Sequence, residues 1–190
     1  MTRNFAIVED AAQRLTHTLG EEVLFLKALT SDTLALTPRD LYPVLIHCIE
    51  ELKGLRFRDK EIQVVINGCS LEECKCSLVF PFEPYTMEVI LQNIIGNAMK
   101  YADLIQIKVL EEGNKVVFKV QDNGPGLDME TLMQHLLVPG ERREAESTHL
   151  GIKVTLHLLE RYGGRLLVWS KPEAGAIFFI EIPKHATRVH

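Results

Sequence analysis

The sequence lacks any apolar run close to the roughly 20 residues that a membrane-spanning helix needs. Its first residues, MTRNFAIVEDAAQ, also lack the long apolar stretch and small-residue cleavage site of a secretory signal. From these two absences we predict a cytoplasmic chain. Neither absence excludes a longer parent protein that is anchored in a membrane.

Positive charge is also scarce. The 190 residues include 21 Lys and Arg against 26 Asp and Glu, which gives a formal net charge of −5. A mildly acidic chain lacks the electrostatic footprint of a general nucleic-acid-binding protein. We therefore expect no nucleic acid among its partners.

Cysteines are few and are not arranged as zinc ligands. The sequence contains Cys48, Cys69, Cys74 and Cys76, without a second Cys or His pair at zinc spacing. In a cytosolic chain we expect these thiols to be reduced. The apolar share of 46% and charged share of 25% are ordinary for a globular protein, and the length suits one domain with a short appendage.

The first 35 residues are predicted to form a helical arm. Between residues 4 and 29, apolar side chains recur at three-to-four spacing, for example at Ile7, Ala11, Leu15 and Leu19. Such a stripe needs a partner helix to cover it. We therefore divide the chain into an arm over residues 1–35 and a domain over residues 36–190, and expect a possible homodimer through the arm.

The domain is predicted to mix helices and strands. A helix begins after Thr37 as N-cap, with Pro38 at its first position, and ends near Lys53. Further helices are predicted over residues 84–101, 129–137 and 150–162, the last ending at a Gly-Gly pair. Strands are predicted over residues 61–67, 77–82, 103–110, 115–121, 165–170 and 176–182. The sum is an α+β fold, a two-layer α/β sandwich whose mixed sheet is covered by helices on one face.

One candidate site lies on the helix predicted over residues 84–101. Asn93, Asn97, Lys100 and Tyr101 share one face at helical spacing. An amide oxygen suits Mg²⁺, and a lysine ammonium suits phosphate. An ordinary solvated helix face explains the same pattern.

Two glycine-containing segments add to it. Asp122-Asn123-Gly124-Pro125-Gly126 directly follows a strand, which indicates either a tight turn or a carboxylate beside a bare backbone that a flat ligand such as adenine can approach. Leu150-Gly151-Ile152 opens a helix, whose N-terminal N–H groups either are simply capped or hold phosphate.

In this order and spacing, the three segments resemble the N, G1 and G2 boxes of the GHKL ATPases, whose ATP-binding fold is the Bergerat fold. The stretches LQNIIGNAMKYA, VQDNGPGLD and LGIKVTLHLLERYGG…GAIFFIEIP resemble the catalytic domain of sensor histidine kinases, over residues 38–183. The preceding segment is similar to the second helix of the dimerisation hairpin of these kinases.

The resemblance implies ATP and Mg²⁺ as ligands and a role for each candidate residue. Asn97 coordinates the Mg²⁺ that bridges the ATP phosphates, and Asp122 binds the adenine amine. Gyrase-type relatives have a glutamate base at the position of Asn93, and an amide cannot act as a base at pH 7, which suits transfer of the γ-phosphoryl group to a histidine. The resemblance also implies that Lys100 contacts phosphate and that Tyr101 packs against the nucleotide. It implies that Gly124 and Gly126 shape the pocket. Leu150 and Gly151 would lie at the phosphate end of an ATP lid over residues 138–148.

The sequence departs from the family at two points. The usual Gly-x-Gly-Leu-Gly-Leu of the G2 box is here STHLGI, so only Gly151 remains of its three glycines, and His149 becomes a candidate phosphate contact. No histidine has the phosphoacceptor motif, since His17 is followed by Thr18-Leu19-Gly20. We therefore expect the acceptor histidine on a dimerisation domain in cis or in trans, and a response regulator receiver domain as a further partner.

One alternative remains open from the sequence. The altered G2 box is also compatible with a degenerate module that binds nucleotide poorly. Such a module would act through protein–protein contacts, as a phosphotransfer scaffold or pseudokinase.

Overall fold

The computed structural model describes residues 35–55, 61–130, 132 and 150–184. The helix predicted over residues 4–29 and the loop predicted over 138–148 lie outside these ranges. Of the short helix predicted over residues 129–137, Met129, Glu130 and Leu132 are described, and all three are helical.

The described chain contains three helices and seven strands. The helices are α1 (Leu41–Gly54), α2 (Pro84–Tyr101) and α3 (Leu150–Tyr162). The strands are β1 (Thr37–Asp40), β2 (Gln63–Ile66), β3 (Val79–Phe82), β4 (Leu104–Glu112), β5 (Lys115–Asp122), β6 (Arg165–Ser170) and β7 (Ala176–Pro183). Both ends of α2 and α3 fall where the sequence predicts them.

Five strands form the main sheet, in the order β2-β4-β5-β7-β6. Strand β2 runs parallel to β4, and the other neighbours are antiparallel. Along β7, buried side chains alternate with half-buried ones, because successive residues point to opposite faces of the sheet. Helices α2 and α3 pack on the sheet and α1 packs on α2. The predicted two-layer α+β sandwich with a mixed sheet is confirmed.

The predicted start of the first domain helix is wrong. Thr37–Asp40 forms β1, which pairs antiparallel with β3, and α1 begins at Leu41, three residues after the predicted first helical residue, Pro38. Asp40 is the N-cap, since its Oδ1 accepts hydrogen bonds from the N–H groups of Tyr42 and Leu78, each at 3.1 Å. The carboxylate thus serves both the helix and the chain leading into β3, which a cap at Thr37 could not do.

Helix α3 lies antiparallel to α2. At one end, the Tyr162 hydroxyl accepts a hydrogen bond from the Glu83 N–H (3.0 Å) and donates one to the Glu83 carbonyl (3.2 Å), just before α2 begins. At the other end, Gly151 lies against Asn93, in the middle of α2. None of the described helices is long and apolar enough to span a membrane.

Candidate functional site

The carboxylate of Asp122 lies at the end of β5, where the β6–β7 turn meets the segment after β5. Its Oδ1 accepts hydrogen bonds from the backbone N–H of Gly124 (2.8 Å) and of Ala176 (3.3 Å). In the described part of the chain, the second carboxylate oxygen has no recorded hydrogen bond. One oxygen is therefore fixed by the fold and the other remains able to accept from a ligand.

Burial raises the pKa of the Asp122 carboxyl above its ordinary value. The hydrogen bonds from Gly124 and Ala176 lower that pKa and oppose the effect only in part. A half-buried carboxylate that lacks full solvation gains more from a ligand donor than an exposed one does. The position is thus suited to hold a group that carries an N–H.

Two glycines allow close contacts between backbone segments at this end of the sheet. Gly175 has φ +78°, and a Cβ there would lie 2.1 Å from the carbonyl oxygen of Asp122. Gly126 has φ +79°, and a Cβ there would lie 2.1 Å from the carbonyl oxygen of Lys171. Both positions combine a left-handed backbone with an approach that no side chain permits. Gly126 was a predicted site residue, whereas Gly175 was not.

A serine hydroxyl joins the two loops around the carboxylate. Ser170 Oγ accepts a hydrogen bond from the Leu127 N–H (2.7 Å) and donates one to the Gly175 carbonyl (2.8 Å). Sequence reasoning missed Ser170, Gly175 and Ala176. Their stretch reads as an ordinary turn, and only contacts across more than 40 residues of sequence distinguish it.

Asn123 has a structural role beside the carboxylate. Its side-chain Oδ1 accepts from the N–H groups of Asp103 (3.0 Å) and Leu104 (2.9 Å), where the chain passes from α2 into β4. These two hydrogen bonds fix the end of α2 relative to the end of β5. The predicted motif thus combines a candidate ligand residue, Asp122, with a residue that holds the backbone.

Gly124 connects the carboxylate to the end of α2. It is buried, and a Cβ at this position would lie 3.0 Å from Asp122 Oδ1 and 3.5 Å from the Cβ of Tyr101. The structure therefore brings Asp122, Gly124 and Tyr101 together. Tyr101 is half exposed, at 52%.

The second part of the site lies along α2. Asn93 and Asn97 are half-buried, and Lys100 is exposed. A Cβ at Gly151 would lie 2.7 Å from Asn93 Oδ1, so the first turn of α3 lies directly against Asn93. The positive dipole end of α3 thus stands beside the amide side chain of Asn93. His149 and the side chain of Leu150 lie outside the described residues.

The sequence of this chain is similar to that of known proteins. The profile of the family described as histidine kinase-, DNA gyrase B-, and HSP90-like ATPase matches residues 82–186. The signal transduction histidine-protein kinase AfsQ2 of Streptomyces coelicolor is 31% identical over 108 residues, which cover 54% of this chain and 20% of that protein. The sensor protein SrrB of Staphylococcus aureus is 25% identical over 189 residues, which cover 95% of this chain and 31% of that protein.

Solved structures share the fold. Full-length ShkA, in complex with AMPPNP, has a TM-score of 0.68 at 19% identity, covering 97% of this chain and 40% of that one. The mycobacterial sensor histidine kinase MprB has a TM-score of 0.61 at 18% identity, covering 80% of this chain and all of that one. The chain thus spans less than a third of the two curated relatives named above but the whole of one solved domain.

Proposed function

Since this chain belongs to the family of histidine kinase-, DNA gyrase B- and HSP90-like ATPases, as the ATP-binding catalytic domain of a sensor histidine kinase, we propose that it transfers the γ-phosphoryl group of ATP to a histidine. The observation that carries the proposal is the carboxylate of Asp122. Oδ1 is fixed by two backbone N–H groups, and the pKa of the group is raised by burial. The second oxygen accepts from the exocyclic amine of adenine.

The wall of the adenine pocket supports this assignment. Gly124 presents bare backbone next to Asp122, and the exposed Tyr101 stands beside Gly124. Gly126 lets the chain after Gly124 pass against the backbone of Lys171. A flat base can pack against such a surface while its amine reaches the carboxylate. Tyr101 accordingly packs against the nucleotide, and the two glycines set the shape of the pocket.

The phosphates lie along α2, toward α3. Asn97 offers a hard amide oxygen of the type that Mg²⁺ accepts, and Lys100 offers a point charge for phosphate. Gly151 leaves room for the first turn of α3 beside Asn93, so that its N–H groups face the phosphate end, where Leu150 and His149 also belong. When bound, Mg²⁺ neutralises phosphate charge.

The nature of Asn93 supports transfer to histidine over hydrolysis. An amide cannot take a proton from water at pH 7, so Asn93 leaves water without a base. In the transfer, a bond forms between an imidazole nitrogen and the γ-phosphorus, while the bond to the bridging oxygen of ADP breaks. The residues of this chain contribute by orienting ATP and neutralising charge.

The partners follow from the same proposal. The acceptor histidine lies on a dimerisation domain in cis or in trans, since no histidine of this chain has the acceptor motif. A receiver domain of a response regulator then takes the phosphoryl group. Residues 1–35 contribute to a homodimer, and the chain works in the cytoplasm.

Titration with a non-hydrolysable ATP analogue, with and without Mg²⁺, tests the proposal. Asp122→Ala removes a charge-assisted hydrogen bond of about 1.5–3 kcal/mol, so affinity should fall roughly ten- to a hundred-fold. Asn97→Ala should reduce the gain in affinity that Mg²⁺ brings. Asn114→Ala, in the exposed β4–β5 turn, is the matched control and should change neither quantity.

Two results would contradict the proposal. One is wild-type protein that is folded, as judged by a cooperative urea transition, but does not bind the analogue. The other is an analogue affinity that is the same in wild type and Asp122→Ala. The first result would favour the scaffold or pseudokinase alternative, and the second would place adenine elsewhere.

A further inference from the structure

A second cluster of chemically active side chains lies between α1 and α2. His47 and Glu51 occupy successive turns of α1, and Glu88 faces them from the first half of α2. One ligand atom from each residue can be chosen such that all three lie within 4.8 Å of one another. His47 Nε2 is 3.5 Å from Glu51 Oε1. Residues four apart on a helix lie on one face, which brings His47 and Glu51 together.

The two carboxylates of this cluster repel each other. Burial, and secondly the negative charge of Glu51, raises the pKa of Glu88, while His47 lowers it. Within the described ranges, no lysine or arginine forms an ion pair with Glu51 or Glu88. Gln92 donates a hydrogen bond to the other oxygen of Glu51, at 3.3 Å, which orients that carboxylate. A divalent cation would neutralise the pair.

We propose that His47, Glu51 and Glu88 bind a divalent transition metal ion of the Zn²⁺ class, which bridges α1 and α2. The imidazole nitrogen selects Zn²⁺, Co²⁺, Ni²⁺ or Cu²⁺ over Mg²⁺ and Ca²⁺, which take oxygen ligands. Three protein ligands leave further coordination positions for water, since His47 and Glu51 are exposed, at 62% and 44% of their side-chain area. The site is separate from the residues proposed to bind ATP.

Binding at this site should stabilise the fold. A ligand that binds only the folded chain shifts the equilibrium toward that state. Because the three ligands come from two helices, they are preorganised only when α1 is packed on α2. The metal should therefore raise the temperature of unfolding, whether or not nucleotide is present.

Titration with Co²⁺, followed by visible absorption, tests this site on the full chain. The free thiols of Cys69, Cys74 and Cys76 are the competing ligands, and they would reveal themselves by an intense sulfur-to-metal charge-transfer band. We expect one Co²⁺ per chain without that band. His47→Ala and Glu88→Gln should each weaken Co²⁺ binding at least about ten-fold, because removing a ligand reduces metal affinity at least as much as removing a residue that orients a ligand. Each variant should also abolish the rise in unfolding temperature.

The matched controls are His157→Ala on α3 and Glu50→Gln on α1, both of which change exposed residues outside the cluster. Both should bind Co²⁺ as wild type does. Binding that fails to saturate at one equivalent would overturn the proposal. So would an affinity unchanged by His47→Ala and Glu88→Gln, or a thiolate band that accounts for the bound metal.

Discussion

The turn between β6 and β7 determines how Asp122 is held, and Gly175→Ala tests this dependence. Gly175 is buried with φ +78°. An added Cβ would lie 2.1 Å from the carbonyl oxygen of Asp122 and 3.0 Å from its carbonyl carbon. Both are backbone atoms, which cannot rotate aside as a side chain can. Either the turn or the end of β5 must therefore shift.

The expected loss in the free energy of unfolding of Gly175→Ala has two parts. A left-handed backbone costs an alanine roughly 1–2 kcal/mol. Overpacking against a neighbour adds about 1–3 kcal/mol. Gly113 separates the two, because it has φ +58° and a Cβ there would meet nothing within 4 Å. We expect Gly113→Ala to lower the free energy of unfolding by the first amount only, and Gly175→Ala by about 2–5 kcal/mol in total.

Urea unfolding of both variants measures these free energies, and titration with an ATP analogue measures the effect on the site. Gly175→Ala should also weaken the analogue, because a displaced turn loses the hydrogen bond from the Ala176 N–H to Asp122 Oδ1. Gly113→Ala should bind the analogue as wild type does. Equal losses of stability in the two variants would refute the collision argument, and an unchanged affinity in Gly175→Ala would refute the link to Asp122.

Three further predictions concern single contacts. Asp122→Asn should leave stability at pH 7 unchanged or higher, because the raised pKa of Asp122 means that folding disfavours its ionised form. Wild type regains stability when the carboxyl is protonated, so the difference in urea midpoint between variant and wild type should shrink as pH falls through that pKa, and the variant should also lose analogue binding. Tyr162→Phe should cost about 1–3 kcal/mol in urea unfolding, because it removes both hydrogen bonds to the Glu83 backbone; no loss would mean that water replaces the hydroxyl. Gly151→Ala should reduce the binding free energy of the analogue by more than it reduces the free energy of unfolding, since its Cβ would displace the flexible amide of Asn93, 2.7 Å away. Calorimetric titration measures the first quantity and urea unfolding the second; a larger loss of stability than of binding would contradict the reasoning.

Local signals were sufficient for much of the fold. Helix α2 begins at Pro84, as predicted, because proline at the first helical position needs no N–H partner. The start of α1 was missed because β1 pairs with β3, some 40 residues later, and this pairing outweighs the local cap signal of Thr37. A short-range pattern contains no information about which distant segment will supply hydrogen bonds.

The candidate site also contains residues that a local motif predicts and residues that only long-range contacts reveal. Asp122 and Gly126 were predicted because their motif is contiguous and follows a strand directly. Ser170 and Gly175 were missed because their roles depend on contacts with residues 43 and 53 positions away. The residues proposed to touch ligand were thus visible in the sequence, whereas those that hold them in place became visible only once the strands were paired.

The antiparallel packing of α3 on α2 has a consequence for how this protein can diversify. Leu132, just before residues 133–149, is buried. Helix α3, just after them, contacts α2 through Gly151 and the residue before α2 through Tyr162. The distance between the two attachment points is set by the rest of the domain. Helix α3 itself is held to α2, or to the residue just before it, at both of its ends, so a substitution that shifts α2 also shifts α3. The two helices are therefore constrained to change together, whatever the sequence of the chain between them.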